Sequence, residues 1–309
     1  MRNEAALIGI DWGTTSFRAY RIAADGAVLE AHAAPAGILR IAERAFEAVL
    51  EREIGPWLAA GPALPVIASG MITSRQGWVE VPYCACPAGS GELAAALVRH
   101  ETGSGRAIHF VPGVSLLGAD GVPDVIRGEE TQILGLLEDG VGRERRAIVL
   151  PGTHSKWALV EDGRITWFAT FMTGEVFGVL REHSILGRTM AGDGPDDDAF
   201  ARGLAYARSG PGGLLKRLFS ARTLGLFDRL PAAAGASYLS GLLIGSEIGE
   251  ALPCLPAGAP GEVTVIGDSA LAERYRQAIE AAGLRARTGA ADACAQGQLL
   301  IARAAGLLS

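Results

Sequence analysis

The sequence predicts an α/β protein of two domains, and three observations support this. A chain of 309 residues is longer than a single hydrophobic core usually supports. Residues 8–22 and 147–168 repeat one order of features: an apolar run, a tight loop of glycine and hydroxyl residues, and a second run. The first block runs on to an Asp-Gly turn at 25–26, and the second contains one at 162–163. Apolar helical patterns alternate with short apolar strands elsewhere. We expect duplicated half-molecules, with domains at residues 1–115 and 116–309.

The first half is predicted to begin with a three-stranded antiparallel meander over residues 7–36. Its second turn is Asp25-Gly26, and Asp-Gly between alternating apolar runs is the strongest short-range hairpin signal. After the meander, the pattern predicts a helix over 39–59 that ends near residues 61 and 62, a strand over 65–68, a helix over 93–100 and a strand over 107–111.

The second half is predicted to follow a hinge at residues 112–124, which are rich in proline, glycine and aspartate. A helix begins near Gly128, and the second meander follows it. Asp196, Asp197 or Asp198 is expected to cap a helix. The remaining pattern predicts a helix over 176–182, helices through much of 199–250, a strand over 263–266, a helix over 271–282 and a final helix over 292–307.

Composition excludes several classes of protein. Hydrophobic residues make up 49% of the chain, but no run resembles a signal peptide or a membrane span. The net charge of −6 argues against broad nucleic-acid binding. Four cysteines are too few and too scattered for a disulfide framework, which favours a reducing cytoplasm. Cys84-Ala-Cys86 is half of a metal site at most, and we interpret both as ordinary thiols.

The two repeated loops are predicted to bind phosphate. Gly13 and Gly152 allow a close approach of the backbone to a ligand, and hydroxyl groups lie beside them. Two such loops would hold a chain of phosphates from both ends. The sequence contains none of the P-loop, dinucleotide-binding or nucleophile-elbow motifs. The hydroxyl residues of the two loops are Thr14, Thr15, Ser16, Thr153 and Ser155.

Two residues of the second loop are candidates for stabilising charge. All but two of the 28 basic residues are arginine, and one of the two lysines is Lys156. A compact ammonium on a flexible stem suits a phosphate whose charge moves during a reaction. His154 could donate a hydrogen bond to phosphate or substrate, although a lone histidine is often structural.

Asp11 ends an apolar strand directly before Gly13. A carboxylate there needs a hydrogen bond or a cation. We expect it to orient Mg²⁺ through water, because Mg²⁺ keeps several waters and few protein carboxylates. The alternative is that Asp11 caps its own turn. Arg18, on the second strand, could reach phosphate or substrate.

The segment RGEETQ at 127–132 places two carboxylates at the start of a helix. Glu129 and Glu130 point in different directions, so one of them could take a proton from an attacking hydroxyl. Arg127 could pair with an anionic substrate. The alternative is that acidic residues simply favour a helix N-terminus. At a later strand-to-helix junction, Gly267, Asp268 and Ser269 could pass close under a base or ribose.

These segments together resemble the sugar kinase, Hsp70 and actin superfamily. The resemblance implies two ribonuclease-H-like domains around a central cleft, which close on Mg-ATP. Residues 11–16 resemble the phosphate-1 motif of that superfamily, residues 152–155 its phosphate-2 motif and residues 267–269 its adenosine motif. The helix at RGEETQ falls where these kinases carry their base.

The resemblance narrows to the 2-dehydro-3-deoxygalactonokinase family. It rests on ASGMITSRQGWVEVPY, VIRGEETQILG, LPGTHSKW and TFMTGEVFGVLREHSILG, at residues 68–83, 125–135, 150–157 and 170–187. It implies ATP-dependent phosphorylation of the 6-hydroxyl of 2-dehydro-3-deoxy-D-galactonate, in galactonate breakdown. Many relatives in the superfamily use aspartate as the base, whereas the matching position here is Glu129, so Glu129 and Glu130 both stay candidates.

A sugar acid also needs local cations in an acidic protein. Arg75 and Arg127 are the candidates for its carboxylate, and Thr173 and Glu175 for its hydroxyls. Trp78 is expected at the pocket wall or in the core. Two alternatives stay open: a kinase of another small acid, such as 2-dehydro-3-deoxygluconate or pantothenate, and a non-enzymatic nucleotide-binding protein. We expect a cytoplasmic protein and a homodimer.

Overall fold

The structure, a computed structural model, describes residues 4–59, 64–137, 144–192, 194–209, 212–267, 269–290 and 292–308. Within these ranges the strands are β1 Ala5–Trp12, β2 Phe17–Ala23, β3 Val28–Ala34, β4 Val66–Ser69, β5 Cys84–Ala85, β6 Ala88–Gly89, β7 Val98–Glu101, β8 Ala107–Phe110, β9 Val114–Leu117, β10 Pro123–Ile126, β11 Arg146–Leu150, β12 Ser155–Glu161, β13 Arg164–Phe171, β14 Glu262–Val265 and β15 Arg285–Thr288. The α-helices are α1 Phe46–Ala59, α2 Ser90–Ala95, α3 Glu129–Gly135, α4 Thr173–His183, α5 Asp197–Ala207, α6 Leu214–Leu218, α7 Ser220–Leu226, α8 Gly235–Cys254, α9 Ser269–Ala281 and α10 Ala293–Ala304.

The chain divides into two compact units. The first contains Met1–Arg145, Val160–Phe168 and Gly289–Ser309, and the second contains Arg146–Leu159 and Ala169–Thr288. The first unit thus extends beyond residue 115, where the sequence analysis put the boundary. The hairpin of β9 and β10, helix α3 and the C-terminal helix α10 all belong to it. Helix α10 packs on α3, which is why the end of the chain returns to the first unit.

The first unit contains the first meander as predicted. Its sheet has the order β3-β2-β1-β4-β8-β7. Strands β1, β2 and β3 are antiparallel neighbours, and β4 pairs parallel with β1. Strand β8 is parallel to β4, and β7 is antiparallel at the edge. A smaller sheet, β10-β9-β5, belongs to the same unit.

The second unit repeats this arrangement, which confirms the duplication. Its strands follow the order β15-β14-β11-β12-β13, in which β11 takes the central place that β1 has in the first unit. Strand β14 is parallel to β11, and β15 is parallel to β14. The hairpin tip at 160–168 is grouped with the first unit because Arg164 and Ile165 pair with β6. Asp162 and Gly163 both have positive φ, 49° and 75°, as a type I′ turn requires.

The core of the first unit is aromatic at one end of its sheet. Trp12 packs edge-on against Phe17 and Phe46, with ring centroids 4.8 and 5.9 Å away. Trp78 stacks on Phe46 at 6.2 Å and also contacts Phe110 at 5.9 Å.

In the second unit, α8 is buried along most of its length. Among the described residues, no helix is both long and apolar enough to cross a membrane.

Three local predictions are corrected. Residues 38–44 form two 3₁₀ turns rather than the start of a helix, because Glu43 and Arg44 have φ of 51° and 56°, so α1 begins at Phe46. Its predicted end near residues 61 and 62 lies outside the described residues. Residues 98–101 form strand β7, which pairs with β8, rather than the end of a helix. The expected hinge at 112–124 contains β9 and the start of β10, an antiparallel hairpin.

Candidate active site

The first phosphate loop, residues 13–16, is a tight turn at the end of β1. Its first amide, of Gly13, donates to the carbonyl oxygen of Ser16 at 2.9 Å. The next segment of chain supports it, because the amide of Ile38 donates to the carbonyl oxygen of Gly13 at 3.0 Å. Gly37 is essential to this packing, since a Cβ there would lie 2.3 Å from the backbone of Thr15. The loop is therefore held from behind, and its threonine side chains are exposed.

The ends of β1 and β4 and the start of α3 converge in the first unit. A Cβ at Gly70, just after β4, would lie 3.3 Å from Oδ1 of Asp11 and 2.9 Å from the carbonyl oxygen of Trp12. A Cβ at Gly128 would lie 3.1 Å from Cα of Gly70. Two glycines thus let α3 begin close to Asp11. The fold brings Asp11 and Glu129 into one neighbourhood, where their charges interact.

Asp11 is largely but not fully buried in this neighbourhood, with a side chain 14% exposed. Arg18 lies opposite it in the β1–β2 register, with a guanidinium nitrogen 3.5 Å from Oδ2. Burial raises the pKa of the Asp11 carboxyl, the Arg18 guanidinium lowers it, and the charge of Glu129 raises it again. A cation beside these carboxylates would favour the ionised form of Asp11.

Glu129 and Glu130 have different surroundings. Glu129 is partly exposed, and its Oε2 accepts a hydrogen bond from the amide of Arg127 at 2.8 Å. Glu130 is fully buried, and its oxygens accept from the amide of Gly128 at 2.7 Å and from the hydroxyl of Thr131 at 3.1 Å. Burial, and secondly the charge of Glu129, raise the pKa of Glu130 to about 7. Glu129 is the one of the two that a ligand can reach.

The second phosphate loop, residues 152–155, rests on the first turn of α4. The amide of Glu175 donates to the carbonyl oxygen of Thr153 at 2.9 Å. Gly174 permits this contact, because a Cβ there would lie 2.3 Å from the carbonyl oxygen of Gly152. Gly267, at the end of β14 with φ of 148°, lies beside Pro151. Asp268 and the side chain of Ser269 lie outside the described part of the chain.

His154 and Lys156 are two residues apart along β12 and its approach, so they share a face. Nε2 of His154 lies 2.5 Å from Oε2 of Glu175, and both side chains are about half exposed. Lys156 is 7% exposed, and its Nζ donates to the hydroxyl of Thr170 at 2.8 Å. The ammonium is thus held against β13.

Gly13 and Gly152 lack the usual structural reasons for a glycine. Neither has φ in the left-handed region. A Cβ at Gly13 would meet the carbonyl oxygen of Ser16 at 3.6 Å, and one at Gly152 would meet that of His154 at 3.9 Å, which are ordinary contacts. Within the described residues, neither strain nor crowding requires glycine at these positions. A small side chain would therefore fit at either position without strain.

A cavity of about 290 Å³ adjoins the second loop within the second unit. Its walls are mostly apolar, from Phe177, Leu243, Ile244 and Leu271, and its polar groups include Ser240 and Arg274. Nη1 of Arg274 donates to the hydroxyl of Ser240 at 3.1 Å. Gly152 and Thr153 form one edge. A larger hollow of about 600 Å³, near the C-terminal end of α1, contains none of the predicted site residues.

Several predicted substrate ligands are occupied by the protein itself. Both terminal nitrogens of Arg127 donate within the first unit, to Thr73 and to the carbonyl oxygen of Val81, and its guanidinium lies 4.2 Å from the ring centroid of Tyr83. Trp78 packs against the aromatic core, which favours the second of its two expected places over the pocket wall. Arg75 is exposed, and Arg18 is 54% exposed.

Two hydroxyl groups predicted at the site face the interior. The hydroxyl of Ser155 is buried and donates to Glu247 at 2.7 Å, and Thr173 also shares a hydrogen bond with that carboxylate. They are therefore not free to donate to a ligand. The sequence analysis did not identify Glu247, although a carboxylate within the apolar run SYLSGLLIGSEIGEAL was a signal. It also missed Gly37, Gly70 and Gly174, whose importance depends on chain segments that meet only after folding.

Comparison with known proteins gives one consistent result. The family model for 2-keto-3-deoxy-galactonokinase matches residues 11–301. A protein of Rhizobium meliloti (strain 1021), named as a probable 2-dehydro-3-deoxygalactonokinase, is 37% identical over 290 residues, which cover 92% of each chain. The 2-dehydro-3-deoxygalactonokinase of Escherichia coli (strain K12) is 32% identical over 298 residues, 94% of this chain and 95% of that one.

Solved structures agree. A crystal structure from Sinorhizobium meliloti, provisionally assigned as a 2-dehydro-3-deoxygalactonokinase, has a TM-score of 0.88 and 36% identity, covering 96% of this chain and 98% of that one. The activator of 2-hydroxyisocaproyl-CoA dehydratase from Clostridium difficile, with bound ADPNP, has a TM-score of 0.51 and 12% identity. The match covers 96% of this chain and 95% of that one. The second likeness concerns the fold alone, and it confirms the predicted fold class.

Proposed function

The chain belongs to the 2-keto-3-deoxy-galactonokinase family, and we propose that it transfers the γ-phosphoryl group of ATP to the 6-hydroxyl of 2-dehydro-3-deoxy-D-galactonate. The products are the 6-phosphate and ADP. The family match covers nearly the whole chain, and both named relatives match over more than nine-tenths of their length. The assignment is therefore supported by a match along nearly the full length of both relatives rather than by one segment.

The proposed mechanism rests mainly on two glycines, Gly13 and Gly152, beside which a Cβ would make only ordinary contacts. Gly13 and Gly152 each occupy a tight polar loop, and the described protein atoms give neither a reason to be glycine. A phosphate oxygen that approaches the backbone amides closely supplies that reason. We assign residues 13–16 and 152–154 to the phosphates, with the hydroxyls of Thr14, Thr15 and Thr153 as further donors.

We assign Glu129 as the general base. It lies at the first turn of α3, is partly exposed and interacts electrostatically with Asp11. It takes the proton from the attacking hydroxyl as the phosphoryl group departs from ADP. Glu130 is fully buried. Its hydrogen bond from the amide of Gly128 supports the turn that presents Glu129, so we assign it a structural role.

The residues around Asp11 fit a divalent cation. Two carboxylates, Asp11 and Glu129, repel each other electrostatically in a largely buried setting, where the guanidinium of Arg18 partly offsets the charge of Asp11. Mg²⁺ prefers oxygen ligands and keeps most of its waters, so Asp11 is suited to hold it through water. Bound there, Mg²⁺ would neutralise charge on the phosphates. Asp11 would orient the hydrated ion, and Glu129 stays free to accept the proton.

The second loop supplies positive charge and the place for the nucleoside. Lys156 follows the loop directly and donates to Thr170, and His154, within the loop, pairs with Glu175. As phosphoryl charge develops, these groups and the loop amides stabilise it. The apolar cavity of about 290 Å³ beside Gly152 suits a flat base, which Gly267 lets approach from β14.

We assign Arg75 to the carboxylate of the sugar acid. It is exposed, whereas the terminal nitrogens of Arg127 already donate to Thr73 and Val81. Arg127 instead fixes the strand end that leads into α3. Arg18 is available for a phosphate or for the substrate, next to Asp11.

Coupled ADP release over a panel of acids tests the assignment. We expect turnover with 2-dehydro-3-deoxy-D-galactonate to exceed that with 2-dehydro-3-deoxygluconate or pantothenate. Preference for another acid would make the chain a different small-acid kinase on this fold. ATP turnover that needs no acid would instead indicate a nucleotide-binding protein without a sugar substrate.

A further inference from the structure

Glu247 is a charged residue within an apolar helix. Helix α8 is buried from Gly235 to Ile248, and Glu247 is the only Asp, Glu, Lys or Arg in that stretch. Its side chain is 3% exposed. A buried carboxylate is costly unless hydrogen bonds compensate for the lost water. The role of Glu247 therefore depends on the groups that donate hydrogen bonds to its carboxylate.

Four donors surround this carboxylate. Oε1 accepts from the hydroxyl of Ser155 and from Nε1 of Trp157, each at 2.7 Å. Oε2 accepts from the hydroxyl of Tyr275 at 2.5 Å, and Thr173 supplies a further hydrogen bond. An ionised carboxylate has about four acceptor positions, so the donors match it fully. Burial raises the pKa of Glu247, and these hydrogen bonds act in the opposite direction.

The donors come from three elements that surround the phosphate loop. Ser155 is the last residue of the loop and the first of β12, which also contains Trp157. Thr173 begins α4, and Tyr275 lies on α9. Thr173 and Tyr275 also line the cavity beside Gly152 and Thr153. One carboxylate on a fourth element, α8, thus joins the loop, its supporting helix and the wall of the cavity. Among the described residues, no basic side chain forms an ion pair with it.

We propose that Glu247 is a positioning residue for the nucleotide, which holds residues 152–155 and the first turn of α4 in the shape that receives the phosphates and the base. This inference rests on the proposed function, because it takes that loop and cavity as the nucleotide site. Glu247 acts from behind the loop and touches no substrate. It turns the hydroxyls of Ser155 and Thr173 inward, so the open side of the loop is left to the amides and to Thr153.

The test compares Glu247→Gln with Glu250→Gln, an exposed glutamate less than one turn further along the same helix. Glutamine keeps the side-chain volume but replaces one carboxylate oxygen by an amide NH₂ group. That donor would then face the donors that surround Glu247. Calorimetric titration with a non-hydrolysable ATP analogue and Mg²⁺ measures nucleotide affinity without turnover. Steady-state kinetics then give the KM for ATP and the KM for the sugar acid separately.

We expect Glu247→Gln to weaken binding of the analogue and raise the KM for ATP by about tenfold, since buried donors lose their acceptor. The KM for the sugar acid and the affinities of Glu250→Gln should not change. Tyr275→Phe removes one donor, so it should raise the KM for ATP by about threefold and leave the KM for the sugar acid unchanged. If Glu247→Gln does not fold, Tyr275→Phe decides the question.

Two results would overturn the proposal. In one, the folded variants bind the analogue as the wild type does. In the other, affinity for nucleotide and sugar acid falls equally, as a general loss of structure would cause. A wild-type protein that binds the analogue but phosphorylates no sugar acid refutes the proposed function alone, because the calorimetric comparison still tests Glu247.

Discussion

Glu129 and Glu130 are neighbours in sequence but differ in every physical respect that matters for catalysis. Successive residues of a helix point in different directions. Glu129 is partly exposed near Asp11, whereas Glu130 is buried and bonded to its own helix turn. The sequence left the choice between them open, and the structure separates them by burial. Each therefore has its own prediction.

Replacing Glu129 by glutamine should lower kcat by about 10²–10⁴-fold, the usual contribution of a general base. The KM for ATP should change little, because this side chain accepts a proton and holds no phosphate. Initial rates over a range of ATP and sugar-acid concentrations measure both constants. An unchanged kcat would remove Glu129 from the mechanism.

Replacing Glu130 by glutamine should change how stability depends on pH. The pKa of Glu130 is raised from 4.5 to about 7, so the folded protein keeps a proton that the unfolded chain releases in this range. Its contribution to stability is complete below about pH 4.5 and is lost as pH rises through about 7. Between about pH 5 and pH 8 the wild type should lose about 2 kcal/mol relative to Glu130→Gln.

Urea unfolding of both proteins at the two pH values measures this difference. A constant difference in stability across the range would show that Glu130 does not titrate as its burial implies. Glu130→Gln is the control for the wild type, because it retains the volume of the side chain and lacks the ionisable group.

At the level of elements, helix α3 owes its position to glycines as much as to its apolar face. A Cβ at Gly135 would lie 1.7 Å from the carbonyl oxygen of Ala293, and one at Gly297 would lie 1.8 Å from that of Thr131. Helices α3 and α10 are therefore in direct backbone contact. Gln298 of α10 donates to the carbonyl oxygen of Ile10 at 2.8 Å. The C-terminal helix thus helps to place α3 and Glu129 relative to β1.

The loops give a matched pair of glycine substitutions. Gly152→Ala should keep the melting temperature but raise the KM for ATP by about tenfold, because only the ligand needs the space. Gly37→Ala should instead lower the melting temperature, because its Cβ would clash with the backbone of Thr15 at 2.3 Å. Thermal unfolding and ATP kinetics of both variants provide the comparison.

A Gly152→Ala enzyme with an unchanged KM for ATP would remove the main reason for assigning that loop to phosphate. Loss of stability in the same variant would mean that the glycine serves the fold.

At the scale of the whole molecule, the sequence predicted what depends on local pattern. Both meanders, their Asp-Gly turns and the cap at Asp196 follow from short-range rules, and each is confirmed; Asp196 accepts from the amide of Ala199 at 2.8 Å. Strand β7, which pairs with β8, and the close packing of α3 on α10 depend on distant partners. The positive φ of Glu43 and Arg44 accompanies hydrogen bonds from Arg44 to Gly77 and Trp78.

At the candidate site, too, features that depend on local sequence differ from features that depend on distant contacts. Motifs pointed to the loops, Asp11 and the acidic start of α3, because these residues are close in sequence, and their roles at the site stay predictions. Burial could not be read from the motifs, so Ser155, Thr173, Trp78 and Arg127 were assigned to ligands although their polar or aromatic groups contact the protein. The expected homodimer and cytoplasmic location stay predictions.

Identification of the product tests the central claim most directly. The enzyme is incubated with Mg-ATP and 2-dehydro-3-deoxy-D-galactonate, and the products are examined by ³¹P and ¹³C nuclear magnetic resonance. We predict one new phosphate monoester on carbon 6, formed in equal amount to ADP. ADP with inorganic phosphate and no sugar phosphate, or phosphate on another oxygen, would contradict the account.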